Sequence, residues 1–128
     1  MSFLTLENVT HHYFTKDGYT KALDDISFSV KEGEFVSLLG PSGCGKSTIL
    51  SIVSGIMDQT LGKVHLDNKP IDESELAIGY MLQQDYLFPW KTILDNVLIG
   101  PKIQENIHVD VKEKAVELII IAIPSLNK

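Results

Sequence analysis

The chain has 128 residues, 44% of them hydrophobic and 22% charged, which is enough for one compact core. Its 17 acidic residues outweigh 11 basic ones, giving a net charge of -6, and this argues against the basic surface of a nucleic-acid binder, so no nucleic-acid partner is expected. The single cysteine, Cys44, excludes an intrachain disulfide, and the longest apolar run, Leu118 to Ile123, is far below the roughly 20 residues of a membrane span.

In chain order, Leu4 and Leu6 alternate with Thr5 and Glu7, and Ile26, Phe28 and Val30 alternate with Ser27, Ser29 and Lys31. This is the period of strands with one wet face. A tight turn over Lys31 to Glu34 leads into Phe35 to Leu39, whose nearly continuous apolar character predicts a strand buried on both faces, as in a parallel sheet. After a glycine-rich loop, Ile49, Leu50, Ile52 and Val53 recur at helical spacing and stop near Gly55. Gly62 to Ile71 reads as a hairpin turning at Asp67-Asn68, and Leu76 to Leu82 as a second buried strand. Thr92 is a candidate N-cap for a helix carrying Ile93, Val97 and Leu98 and stopping at Gly100-Pro101. A last helix is expected from Asp110, with Val111, Ala115 and Leu118 on one side.

The loop between the expected strand and helix is "GPSGCGKST". Gly40, Gly45, Lys46 and Ser47 fit G-x-x-x-x-G-K-[ST], the P-loop pattern, in the strand-loop-helix setting that gives it meaning. Glycines let successive N–H groups turn toward phosphate oxygens, and the following helix adds the positive end of its dipole. Lys46 is placed to reach the β- and γ-phosphates of a nucleotide, and the Ser47 hydroxyl to ligate Mg²⁺. His11 and His12 lack any accompanying carboxylate or cysteine spacing and read as solvated loop residues rather than metal ligands. Asp72, Glu73 and Glu75 read as a solvated face.

Three separated segments in this order, "LENVTHHY", "ALDDISFSVKEGEFVSLLGPSGCGKST" and "MLQQDYLFPWKTILDNV", resemble the nucleotide-binding subunits of ABC transporters over nearly the whole chain. "LFPW" and "DNV" look most like the importers of the nitrate, sulfonate and taurine group. The resemblance implies an α/β P-loop NTPase fold of ABC type: residues 1–34 and 62–71 in an antiparallel β subdomain, 35–61 and 72–84 in a partial parallel core, and 85–128 in the Q-loop and the start of a helical subdomain.

It further implies that ATP and Mg²⁺ are bound. Gly40, Pro41, Ser42, Gly43, Cys44, Gly45, Lys46, Ser47 and Thr48 form the phosphate cradle, Tyr13 is the aromatic that stacks on adenine with Phe14 as its competitor, and Gln83 is the Q-loop glutamine, with Gln84 leaving the register open. Ser47 and Gln83 are the implied metal ligands. Gln84 to Trp90, with Tyr86, Phe88 and Trp90 around Pro89, faces a membrane permease, the intact family pairs as a homodimer, and the protein sits at the cytoplasmic face of the membrane through that permease.

The family continues with a signature motif, a Walker B strand with its catalytic glutamate and a switch histidine, and none of these occurs after Gln83. The chain is therefore expected to be an amino-terminal portion that stops before the Walker B strand, leaving Phe35 to Leu39 unpaired on one side. The resemblance makes the intact protein an ATP hydrolase driving solute uptake and leaves turnover by this chain open. The alternatives are a remnant that binds nucleotide without turnover and a soluble ABC ATPase without a membrane partner.

Overall fold

The computed structural model describes residues 2–76, 78–84, 86–105 and 108–126, with the side chains of 123–126 outside the description. These residues fall into two compact units, Met1–Tyr80 and Met81–Lys128.

The first unit is built on a four-stranded antiparallel sheet in the order β2-β1-β3-β4. Strands β1 (Ser2–Thr15) and β2 (Gly18–Lys31) form a long hairpin. Both run well past the alternation seen in the sequence, because residues 10–15 and 18–22 carry ladder pairing without a regular apolar pattern. β3 (Leu61–Leu66) pairs with the other edge of β1, and β4 (Lys69–Pro70) returns through Asp67 and Asn68 at φ 51° and 62°, the left-handed turn expected there. Leu6, Val9, Leu23 and Val64 from the sheet bury themselves against Ile52 of helix α1 (Lys46–Val53).

α1 ends as its sequence predicts. Gly55 takes φ 79°, its N–H bonds Ile52 O at 3.1 Å and the Ile56 N–H bonds Ser51 O at 3.1 Å, so the last carbonyls are satisfied by a Schellman closure. The turn over Lys31 to Glu34 also forms, with the Glu34 N–H on Lys31 O and the Lys31 N–H on the Glu34 carboxylate.

Two expected strands do not form. Phe35 to Leu39 and the described part of Leu76 to Leu82 pair with no strand among the described residues, and Phe35 and Leu39 are each 92% exposed. The apolar character of these runs encodes a need for burial, but a ladder also needs neighbouring strands, and none of the described strands pairs with them.

The second unit is helical. Thr92 caps α2 (Ile93–Val97), its hydroxyl accepting the Asp95 N–H at 3.1 Å. The helix ends earlier than expected, and Gly100-Pro101 lie within a separate short helix α3 (Ile99–Ile103), where Pro101 falls in the first turn and needs no N–H partner. α4 (Val109–Leu126) follows, and Leu98 and Ala115 are the buried apolar residues among the described residues of this unit. No helix among the described residues is long and apolar enough to cross a membrane.

Candidate functional site

The glycine-rich loop presents the N-terminus of α1 without a competitor. Gly45 is the N-cap residue at φ 103°, no side chain caps the helix and no acid lies in its first turn. The unpaired N–H groups there, together with the helix dipole, favour an anion. A Cβ on Gly45 would lie 2.7 Å from Ala22 O and 2.8 Å from Leu23 Cδ2, so the loop rests directly on β2 and only glycine fits. Within the loop the Cys44 N–H donates to Pro41 O at 3.3 Å, and Gly43 turns with φ 78°.

Lys46 folds across the loop that contains it. Its ammonium donates to Gly40 O at 2.6 Å and Pro41 O at 2.7 Å, and stands 3.3 Å from Cys44 Sγ. It is the only charged side chain between Gly40 and Thr48, so its positive charge is uncompensated by any residue of the loop. Ser42 and Ser47 are exposed, whereas Thr48, one helical step beyond Ser47, is buried.

Thr48 leads to the aromatic question that the sequence left open. Tyr13 Oη lies 3.0 Å from Thr48 Oγ1 and donates to Met57 Sδ at 3.5 Å, so Tyr13 stands on the α1 side of the sheet. Phe14 is 75% exposed, and its ring neighbours His12. Strict alternation from Leu4 and Leu6 would have put His12 and Phe14 on the core side. The pairing instead advances from Leu6↔Phe28 to Val9↔Ile26, giving β1 one extra residue, and then to His11↔Leu23, giving β2 one extra residue in turn.

Asn8 and Asp25 sit at these bulges with φ 50° and 52°. They are joined by Asn8 Nδ2 to Asp25 Oδ1 at 2.7 Å, with the Asn8 N–H on Ser27 Oγ and the Asp25 N–H on Thr10 Oγ1. The first bulge changes which residues of β1 face inward, so Val9, His11 and Tyr13 continue the face begun by Leu4 and Leu6. The signal was present in the three-residue spacing of Leu6 and Val9 across an asparagine.

His11 and His12 are therefore strand residues rather than solvated loop residues. His11 is 8% exposed with its ring 4.7 Å from that of Tyr13, edge to face at 82°, and His12 is half-buried beside Tyr19. Among the described residues no cluster of three or more His, Cys, Asp or Glu side chains is arranged to hold a metal. Asp72, Glu73 and Glu75 are exposed.

In the second unit Gln83 and Gln84 are exposed on irregular backbone, and Asp85 lies outside the described residues. Beyond them a turn closes from the Lys91 N–H to Phe88 O at 3.1 Å with Pro89 at its corner. Asn96 ties it down. Its Oδ1 accepts the Phe88 N–H at 2.8 Å, and its Nδ2 donates to Thr92 O at 2.9 Å and Phe88 O at 3.2 Å. Tyr86, Phe88 and Trp90 are left 67%, 39% and 75% exposed, the last two with ring centroids 5.0 Å apart.

An uncapped helix start behind a glycine loop, with one lysine folded across that loop, is the arrangement of phosphate-binding P-loops. Residues 23–124 match the ABC transporter family, and the chain belongs to that family. It is 48% identical over 119 residues to YtlC of Bacillus subtilis, named as an uncharacterized ABC transporter ATP-binding protein, covering 93% of this chain and 46% of that one. It is 37% identical over 118 residues to the taurine import ATP-binding protein TauB of Roseobacter denitrificans, covering 91% of this chain and 44% of that one. Among solved structures it resembles the dimeric ATP-binding cassette MJ0796 in a post-hydrolysis state with ADP and Pi, with a TM-score of 0.82 at 32% identity over 93% of this chain and 56% of that one. The α/β cassette fold is thus that of ABC ATPases, and the chain spans about half the length of the curated relatives it matches.

Proposed function

We propose that the chain supplies the ATP-gripping part of an importer-type ABC ATPase. The observation that carries this reading is the Tyr13 Oη to Thr48 Oγ1 contact of 3.0 Å, which sets an aromatic ring beside the first turn of the phosphate-loop helix. Gly40 to Thr48 cradle the phosphates, mainly through backbone N–H groups. Thr48 takes part through its backbone, because its hydroxyl is committed to Tyr13. Lys46 exchanges two carbonyl acceptors for phosphate oxygens, and Tyr13 stacks on the adenine.

The proposed metal is Mg²⁺, with the Ser47 hydroxyl and the Gln83 side-chain carbonyl as its protein ligands. An oxygen-only pair fits a hard cation that takes most of its other ligands from phosphates and water. When bound, the ion neutralises phosphate charge.

The turn carrying Tyr86, Phe88 and Trp90 is the proposed contact with a membrane permease, which would place the protein at the cytoplasmic face of the membrane, and the working state is a homodimer. The taurine importer relative and the dimeric cassette support these assignments. The proposed division keeps the β subdomain at 1–34 and 62–71, the phosphate-loop core at 35–61 and 72–84, and the Q-loop with the start of the helical subdomain at 85–128.

Calorimetric titration of Mg-ATP into the chain and its Lys46→Ala variant tests the reading. At least tenfold weaker binding is expected, on the order of 1.4 kcal/mol. Equal affinity would overturn it.

A further inference from the structure

Tyr13 is held from three directions, and only one of them belongs to the phosphate loop. Thr48 Oγ1 and Met57 Sδ fix its hydroxyl. The ring itself meets His11, two residues earlier on the same face of β1, at 4.7 Å and 82°. An edge-to-face pair at this separation is attractive and orientation-dependent, because the positive edge of one ring meets the negative face of the other.

His11 is itself immobilised. It is 8% exposed, and its Nδ1 lies 3.5 Å from Thr60 Oγ1. That hydroxyl is fixed in turn, accepting the His12 N–H at 3.0 Å, while the Thr60 N–H bonds Thr10 O at 3.0 Å. The line from Thr60 through His11 to Tyr13 runs along β1, independent of the contacts made by α1.

We infer that His11 is a positioning residue that sets the plane of Tyr13 and thereby gives the site its preference for a nucleoside triphosphate over a bare triphosphate. The inference rests on the proposed stacking of adenine on Tyr13. Stacking needs the ring presented in one plane, and the hydroxyl contacts alone leave rotation about the Cβ–Oη axis free. His11 removes that freedom before ligand arrives, so the ordering cost is met in folding rather than in binding.

The test is calorimetric titration of ATP and of inorganic tripolyphosphate into the full chain and its variants Tyr13→Ala, His11→Val and His11→Phe. Valine suits a strand but has no ring, whereas phenylalanine keeps an aromatic edge. His11→Val is expected to weaken ATP binding about fivefold and leave tripolyphosphate binding unchanged, and His11→Phe to restore ATP binding to within about twofold. ATP binding by His11→Val equal to that of the parent, with Tyr13→Ala weakened, overturns the inference and leaves the stacking reading standing. Loss of both ligands together in His11→Val also overturns it, since His11 would then serve the hairpin rather than the ring. Parental ATP affinity in Tyr13→Ala removes the stacking reading, and the role of His11 falls with it.

Discussion

At Gly45 a backbone requirement coincides with the proposed functional one. Its φ of 103° starts α1 with bare N–H groups, and its missing Cβ lets the loop touch Ala22 and Leu23 of β2. Gly45→Ala is expected to destabilise the chain by at least about 2 kcal/mol, read as a lower urea midpoint. An unchanged midpoint would mean that the loop does not rest on the sheet. This residue was legible in the sequence because the P-loop spacing names its own glycines. Tyr13 was less so, since a motif that says "aromatic here" cannot choose between Tyr13 and Phe14; what the irregularity at Asn8 decides is that Tyr13, and not Phe14, lies on the α1 side of the sheet. Thr48 was named for its place in the motif, but its side-chain partner 35 residues away could not be read from spacing.

At the scale of elements, caps and turns were the most readable features. Thr92 caps α2, Gly55 closes α1, and Asp67-Asn68 turn the β3-β4 hairpin, each a residue whose own chemistry dictates the local backbone. The strands at Phe35 to Leu39 and Leu76 to Leu82 were misread because an apolar run states what it avoids and not which partner it meets. Asn96 was quoted within "DNV" but its role was not read, although it holds the turn from Phe88 to Thr92 through both ends of its amide. Trp90, the chain's one tryptophan, sits in that turn and reports on it alone. Asn96→Ala is expected to lower Trp90 fluorescence anisotropy while the global urea transition shifts by no more than roughly 1–2 kcal/mol, since the bonds are solvent-accessible. Asn96→Asp should do no better, because it keeps the acceptor for the Phe88 N–H but sets a negative charge against the carbonyls of Phe88 and Thr92. Parental anisotropy in both variants would show that the turn holds its shape without the amide.

At the scale of the molecule, Phe35 and Leu39 expose almost their entire side chains on a segment that leads straight into the phosphate loop. Exposed apolar side chains on a segment that pairs with no described strand are a template for association. The 128-residue chain is expected to sediment with a weight-average mass that rises with concentration. Phe35→Ser combined with Leu39→Ser should reduce that rise. A parent chain that stays monomeric across the concentration range would show that this segment finds cover within the chain.

The matched bulges at Asn8 and Asp25 bear on how the hairpin tolerates changes in chain length. Between Leu6 and His11 each strand carries one surplus residue, so a loss from either strand alone in this stretch leaves its partner with a residue that has nothing opposite it, and every cross-strand pair toward the hairpin tip is offset by one. Removing both restores equal lengths and returns Leu6, Val9, His11 and Tyr13 to plain alternation on one face, with Leu23, Ile26 and Phe28 following suit on β2. Deletion of Asn8 together with Asp25 is therefore expected to cost less stability in thermal melting than deletion of Asn8 alone, a non-additivity that two unrelated lesions would not show. Length in this hairpin is then constrained as a difference between strands, and natural relatives should gain or lose residues here two at a time, one from each side.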